Sequence, residues 1–149
     1  MLRSLCVVAA LSARSRPPRA TSAAQAASGY ATSVFIEDTD AFAVAYYATY
    51  LKWVERAVAD WIGVASISSL FEQRRLHLAV EHLDGVRYAS PARLGDDLAV
   101  KLSRLSFASG ALVLRADISR ASDGASLWSC KQLRVRFYSE SGACSEWPL

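Results

Sequence analysis

Only one stretch of this chain has the spacing of a long helix, and nearly everything after Leu76 reads as strand. Leu76, Leu78 and Val80 alternate with His77, Ala79 and Glu81. Leu98, Val100 and Leu102 alternate with Lys101 and Ser103. Leu112, Leu114, Ala116 and Ile118 alternate with Arg115, Asp117 and Ser119, and Leu133, Val135 and Phe137 with Gln132, Arg134 and Arg136. Each run has one apolar and one polar face, as in an antiparallel sheet covered on one side. Turn signals separate the runs: Pro91 to Asp96, Ser109-Gly110 and Asp123-Gly124. Asp84-Gly85 suggests a bulge inside a strand that continues through Val86 and Tyr88.

The helix is expected to start between Ala45 and Thr49 and to end at Ile62-Gly63. Tyr47, Tyr50, Leu51, Val54, Ala57, Val58 and Trp61 recur at helical spacing, and Trp53 widens the apolar surface. Thr49 is a candidate N-cap and Gly63 a candidate stop. Such a helix suits a sheet that covers much of its circumference. The expected fold class is therefore α+β, a curled antiparallel β-sheet wrapped around one long central helix. A first strand is expected over Tyr30 to Ile36, ended by Glu37, Asp38 and Asp40. Val64 to Gln73 reads as a Ser-containing connection with buried Ile67, Leu70 and Phe71.

At 149 residues the chain fits one domain, and 52% hydrophobic content allows a real core. Its net charge of +3 is unevenly placed. Residues 1–36 carry Arg3, Arg14, Arg16 and Arg19 and no acid. The other 13 basic residues face all 14 acids, a net of −1, which gives no case for nucleic-acid binding by the body of the protein. Residues 1–29 read as a cleavable targeting segment, and 30–149 as the folded domain. The Arg-, Ser- and Ala-rich composition points to mitochondrial import, with a plastid as the alternative and secretion as a weaker one. No apolar run approaches the length of a membrane span. Cys130 and Cys144 follow no CxxC spacing and, with His77 and His82, make no zinc set, so they read as free thiols.

Two motifs carry a family resemblance. Asp38-Thr39-Asp40, Val44, Tyr46, Tyr47, Tyr50 and Glu55-Arg56-Ala57 match the acidic loop and central helix of hotdog-fold acyl-CoA thioesterases. The type resembled is that of 4-hydroxybenzoyl-CoA thioesterase and YbgC. Tyr88 with Pro91-Ala92-Arg93-Leu94-Gly95-Asp96 resembles that family's second turn, and Trp147-Pro148 its usual end. Ala43 stands where the family has Gly or His, Thr49 where it has Asn, and Phe42 where it has a small residue. The resemblance covers residues 33–148 and implies the hotdog arrangement. It also implies a homodimer or homotetramer whose sheets join edge to edge, with active sites at the interface.

The implied activity is hydrolysis of acyl-CoA or acyl-carrier-protein thioesters, with no metal and no cofactor. The resemblance places the family's functional carboxylate at Asp40, as general base or nucleophile. Asp before a helix is also a common turn or capping residue. Phe42, Val44, Tyr47 and Tyr50 are candidates to line the acyl pocket, and backbone N–H groups at the helix N-terminus to polarise the carbonyl. Asp38 and Glu37 would act on Asp40 only through like charge. Glu55 is a rival catalyst, although its spacing also fits a surface pair with Lys52. Arg93, Lys101, Arg134 and Arg136 are candidates for the CoA phosphates. His77 and His82 read as ordinary strand residues. The alternatives are a catalytically weak subunit that binds acyl thioesters or acts as a scaffold, and a hotdog hydratase or dehydratase. The absence of His from the Asp40 loop argues against the hydratase or dehydratase. No GxSxG elbow, phosphate-binding Gly loop or metal pattern appears.

Overall fold

The computed structural model describes residues 27–149, so the targeting segment expected over residues 1–29 lies outside the described residues up to residue 26. Strand β1 (Ala27–Ser33) is followed by a short 3-10 turn (Ile36–Asp38), helix α1 (Thr49–Ile62) and helix α2 (Val64–Arg74). Then come β2 (His77–Asp84), β3 (Arg87–Tyr88), β4 (Asp97–Ala108), β5 (Ala111–Arg120), β6 (Ser126–Ser139) and β7 (Gly142–Ala143). The strands form one sheet in the order β1-β4-β5-β6-β2, with β3 and β7 also paired to β6. Every pairing is antiparallel. Among the described residues, no helix is long and apolar enough to cross a membrane.

Helix α1 buries Tyr50, Trp53, Val54, Ala57 and Val58, one contiguous stripe at i, i+3, i+4, i+7 and i+8. The sheet supplies the facing surface: Leu98, Val100, Leu102, Leu114, Ile118 and Leu133 are all buried in the same cluster. Full burial of a side chain the size of Val or Leu stabilises by about 1.5–3 kcal/mol. This cluster therefore fixes where α1 sits, and with it the loop that precedes α1. The curled sheet around a central helix is the hotdog arrangement.

Four local expectations need correction. The first strand begins at Ala27, inside the segment set aside as leader, and stops at Ser33, opposite Asp97. Phe35 and Ile36 leave the ladder because the chain turns into the 3-10 element that buries Asp38. Residues 64–74 are a second helix rather than a connection. Gly63, at φ +98°, is the corner between two helices, and Phe71 is exposed. Tyr47 precedes α1 and is exposed, so it takes no part in the helical stripe. The register irregularity of β2 falls between Val80 and His82. At Asp84-Gly85 the strand breaks, with Gly85 at φ +64°, and resumes against β6 as β3.

Candidate active site

The loop between β1 and α1 is a tight hairpin-like turn centred on Asp40. The Ala43 amide donates to the Asp40 carbonyl at 3.0 Å, and the Asp40 amide to the Val44 carbonyl at 2.9 Å. Thr39 and Ala45 pair across the base of the turn. This is a type I turn closed by a left-handed residue, and that residue is Ala43 at φ +58°. Gly is the residue such a position favours, because Cβ strains it.

Asp40 is half-buried. Its Oδ1 accepts the Phe42 amide at 2.9 Å and the Val44 amide at 3.2 Å. Among the described residues, Oδ2 has no hydrogen-bond partner. One carboxylate oxygen is thus fixed by the backbone, and the other remains open.

The two motifs meet. Val44 pairs with Arg93, the Leu94 amide donates to the Ala43 carbonyl at 3.0 Å, and the Ala45 amide to the Ala92 carbonyl at 2.9 Å. The Ala92 amide donates to the Tyr50 hydroxyl at 2.8 Å. Burial pushes the Tyr50 phenol above its ordinary pKa, partly offset by that amide. The Tyr88 hydroxyl donates to the Tyr47 carbonyl at 3.0 Å. Arg120 braces the second turn from behind, donating to Asp96 at 3.0 Å, Asp123 at 3.0 Å and the Pro91 carbonyl at 3.3 Å. Sequence spacing does not reveal this bracing role for Arg120.

Helix α1 starts without a side-chain cap. Its N-cap residue is Ala48, and Thr49 is buried as the first helical residue, with its hydroxyl donating to the Asp38 carbonyl at 3.4 Å. Thr49 therefore ties the helix to the loop instead of capping it. Among the described residues, the amides of Tyr47 and Ala48 have no acceptor. Unpaired donors at a helix start form a weak anion site.

Of the four residues expected to line a pocket, Phe42 and Tyr47 are exposed at 83% and 77%, Val44 is half-buried, and Tyr50 is buried in the core. Phe35, Ile36, Tyr46 and Tyr88 are exposed too. The loop thus carries an apolar rim that a single chain leaves uncovered. A separate apolar cavity of about 270 Å³ lies between the helices and β2, with Glu55, Val58, Ile67, Leu78 and Val80 among its lining.

Other candidates lie elsewhere. Lys52 pairs with Asp38 at 3.0 Å and approaches Glu37 at 3.8 Å, so its partners are loop acids and not Glu55. Arg134 and Arg136 both lean on Glu81, at 3.6 and 3.4 Å, while Arg93 and Lys101 are exposed. His77 packs edge-on against Phe71, and His82 sits opposite Arg134 in the sheet. Cys130 and Cys144 are free; burial raises the pKa of the Cys130 thiol. Among the described residues, no three His, Cys, Asp or Glu side chains form a group that could hold a metal ion.

Comparison with known proteins agrees with this architecture. A family model described as the thioesterase-like superfamily matches residues 34–148. The acyl-CoA thioesterase YbgC of Haemophilus influenzae is 35% identical over 83 residues, which span 54% of this chain and 60% of that protein. A probable thioesterase from Bartonella henselae superposes with a TM-score of 0.71 at 19% identity, over 80% of this chain and 98% of the other. A 1,4-dihydroxy-2-naphthoyl-CoA thioesterase from Synechocystis superposes with a TM-score of 0.67 at 21% identity, over 76% and 83% of the two chains. With the family model spanning both motifs and the whole sheet from β4 to β7, the chain belongs to the thioesterase-like superfamily and has its hotdog fold.

Proposed function

We propose that this protein hydrolyses acyl-CoA or acyl-carrier-protein thioesters, without a metal, using Asp40. The observation that carries the reading is the asymmetry of the Asp40 carboxylate. Oδ1 is locked by two backbone amides, and among the described residues Oδ2 is unengaged. A base needs a fixed position and a free lone pair, and Oδ2 has both.

In the reaction, Asp40 takes a proton from water as the oxygen adds to the thioester carbon. The oxyanion forms beside the unpaired amides of Tyr47 and Ala48. Collapse breaks the C–S bond, and the proton passes to the leaving thiolate, giving a free acid and a thiol. In the nucleophilic variant, Oδ2 adds to the carbon directly, the thiolate leaves, and water then opens the mixed anhydride. Neither route asks for Lewis-acid help.

The exposed rim of Ile36, Phe42 and Tyr47 supports a homodimer or homotetramer that covers it, with the acyl group held between copies. The acid-free, Arg-containing first 36 residues support mitochondrial import. Fusing residues 1–29 to a fluorescent reporter tests this, and a diffuse reporter rejects it.

Thiol release from aryl, short-chain and long-chain acyl-CoAs, by protein lacking residues 1–26 so that β1 stays whole, is the deciding measurement. Turnover that Asp40→Asn abolishes supports the reading. Absence of turnover across the panel favours the binding or scaffold alternative. Glu55, beside an apolar cavity, is a second candidate base. Loss of activity in Glu55→Gln with Asp40→Asn unaffected would move the chemistry there.

A further inference from the structure

We infer that Asp38 and Lys52 are positioning residues that clamp the Asp40 loop onto α1, an inference that rests on the proposed role of Asp40. Asp38 is 1% exposed, an unusual state for a carboxylate two residues from a turn tip. Each of its oxygens is engaged. Oδ2 accepts the Phe35 amide at 3.1 Å, and Oδ1 accepts the Lys52 ammonium at 3.0 Å. Its carbonyl accepts the Tyr46 amide at 3.0 Å and the Thr49 hydroxyl at 3.4 Å. One residue therefore touches the chain before the turn, the chain after it, and the first turns of the helix.

This arrangement places Asp38 mechanically between the rigid core and Asp40. Trp53 and Val54, fully buried beside Lys52 on α1, hold the helix. The Lys52 side chain reaches from that fixed helix to Asp38. Thr39, next along, is buried and donates its hydroxyl to the Ile36 carbonyl at 3.0 Å, leaving the loop little slack before Asp40. Removing the ammonium strands a buried carboxylate. The cheapest relief is for Asp38 to swing toward water, taking the Tyr46 and Thr49 contacts with it. Asp40 and the Tyr47 and Ala48 amides would then move relative to each other. Displacements near 1 Å reduce turnover far more than they reduce binding.

The test compares Lys52→Met, Lys52→Arg and Glu37→Gln in the same domain, by thiol-release kinetics and by amide hydrogen exchange. Lys52→Met should lower kcat by about 10- to 100-fold with KM changed by no more than roughly twofold. It should also speed exchange at the Phe42, Val44 and Tyr46 amides while leaving those of β5 protected. Lys52→Arg, which keeps the cation, should restore most of kcat. Glu37→Gln, at an exposed acid 3.8 Å from Lys52, should change neither readout. Unchanged loop exchange and kcat in Lys52→Met would overturn the clamp, as would exchange that rises uniformly across the whole domain. If the parent protein shows no turnover at all, the thioesterase reading falls. Loop exchange in Lys52→Met then still decides the clamp.

Discussion

The Tyr50 hydroxyl accepts the Ala92 amide at 2.8 Å, a bond between the central helix and the second turn that is shielded from water on both sides. Tyr50→Phe keeps the ring contacts with Trp53 and Tyr88 and removes only the acceptor. It leaves a buried N–H unpaired, at a cost of about 1–3 kcal/mol. Urea unfolding of the two proteins at neutral pH measures the difference. The phenol also gives the gap a pH dependence. Its folded-state pKa is raised by burial, so its contribution is complete below the unfolded value of about 10 and is lost as pH rises through the folded one. The stability advantage of the parent over Tyr50→Phe should therefore hold up to about pH 10 and shrink above it, as the pH climbs toward the raised folded-state value.

At Asp40, two substitutions separate shape from charge. Asn keeps an oxygen able to accept the Phe42 and Val44 amides, so Asp40→Asn should fold with stability changed by less than about 1 kcal/mol while kcat drops by about 10²- to 10⁴-fold. Ala removes the one oxygen that accepts both amides, and Asp40→Ala should lose the same activity and also about 1–2 kcal/mol of stability. Parallel kinetics and denaturant titrations check both. Equal stability of the two variants would mean that the turn does not depend on Oδ1.

Ala43 holds a left-handed conformation that disfavours a Cβ. Ala43→Gly should stabilise the domain by about 0.5–1.5 kcal/mol, the relief of strain exceeding the added freedom of the unfolded chain. A rise in the urea midpoint with an unchanged slope is the expected signature.

Ile36 and Phe42 are 79% and 83% exposed on the rim of the loop. If a second copy covers them, Ile36→Asp with Phe42→Asp should convert the oligomer to monomer in sedimentation velocity and depress thiol release at the same time. A parent protein that sediments as a monomer would refute the interface.

Gly110 closes the β4–β5 hairpin at φ +74°, and a Cβ there would lie 2.5 Å from the Ser145 backbone. Gly110→Ala should displace the C-terminal segment. Trp147, which packs edge-on against Phe107 and Phe137, should report this by a red-shifted fluorescence.

Much of this architecture is legible in the sequence because it is periodic. Strands β4, β5 and β6 follow from alternation, and α1 from its i, i+3, i+4 stripe. The second helix is harder to see: Ile67, Leu70 and Phe71 do stand at i, i+3 and i+4, but Gly63 looks like a stop and Ser66, Ser68 and Ser69 around them read as a connection. Val34-Phe35-Ile36 looks like strand by propensity, yet the buried Asp38 draws the chain into a turn after Val34. Tertiary contact overrides local preference there. The turn around Asp40 is found through its motif. The partner of Lys52 is not, because Glu55 fits a local rule whereas Asp38 comes within reach only when loop and helix pack. The Oδ2 oxygen and the Tyr47 and Ala48 amides, without partners among the described residues, are set by how loop and helix pack, which residue spacing does not encode.

The loop's backbone anchors have a kinetic consequence. Val34 bonds Asp96, Ala43 bonds Leu94 and Ala45 bonds Ala92, so each tie spans roughly fifty residues or more of intervening chain. Contacts that distant in sequence are made slowly, because a long loop must first close. Helix α1 can form from its own residues, and β4 to β6 zip as neighbouring hairpins. The turn that holds Asp40 takes its shape only once these pieces have come together, so refolding chains should regain their secondary structure before they regain a working site.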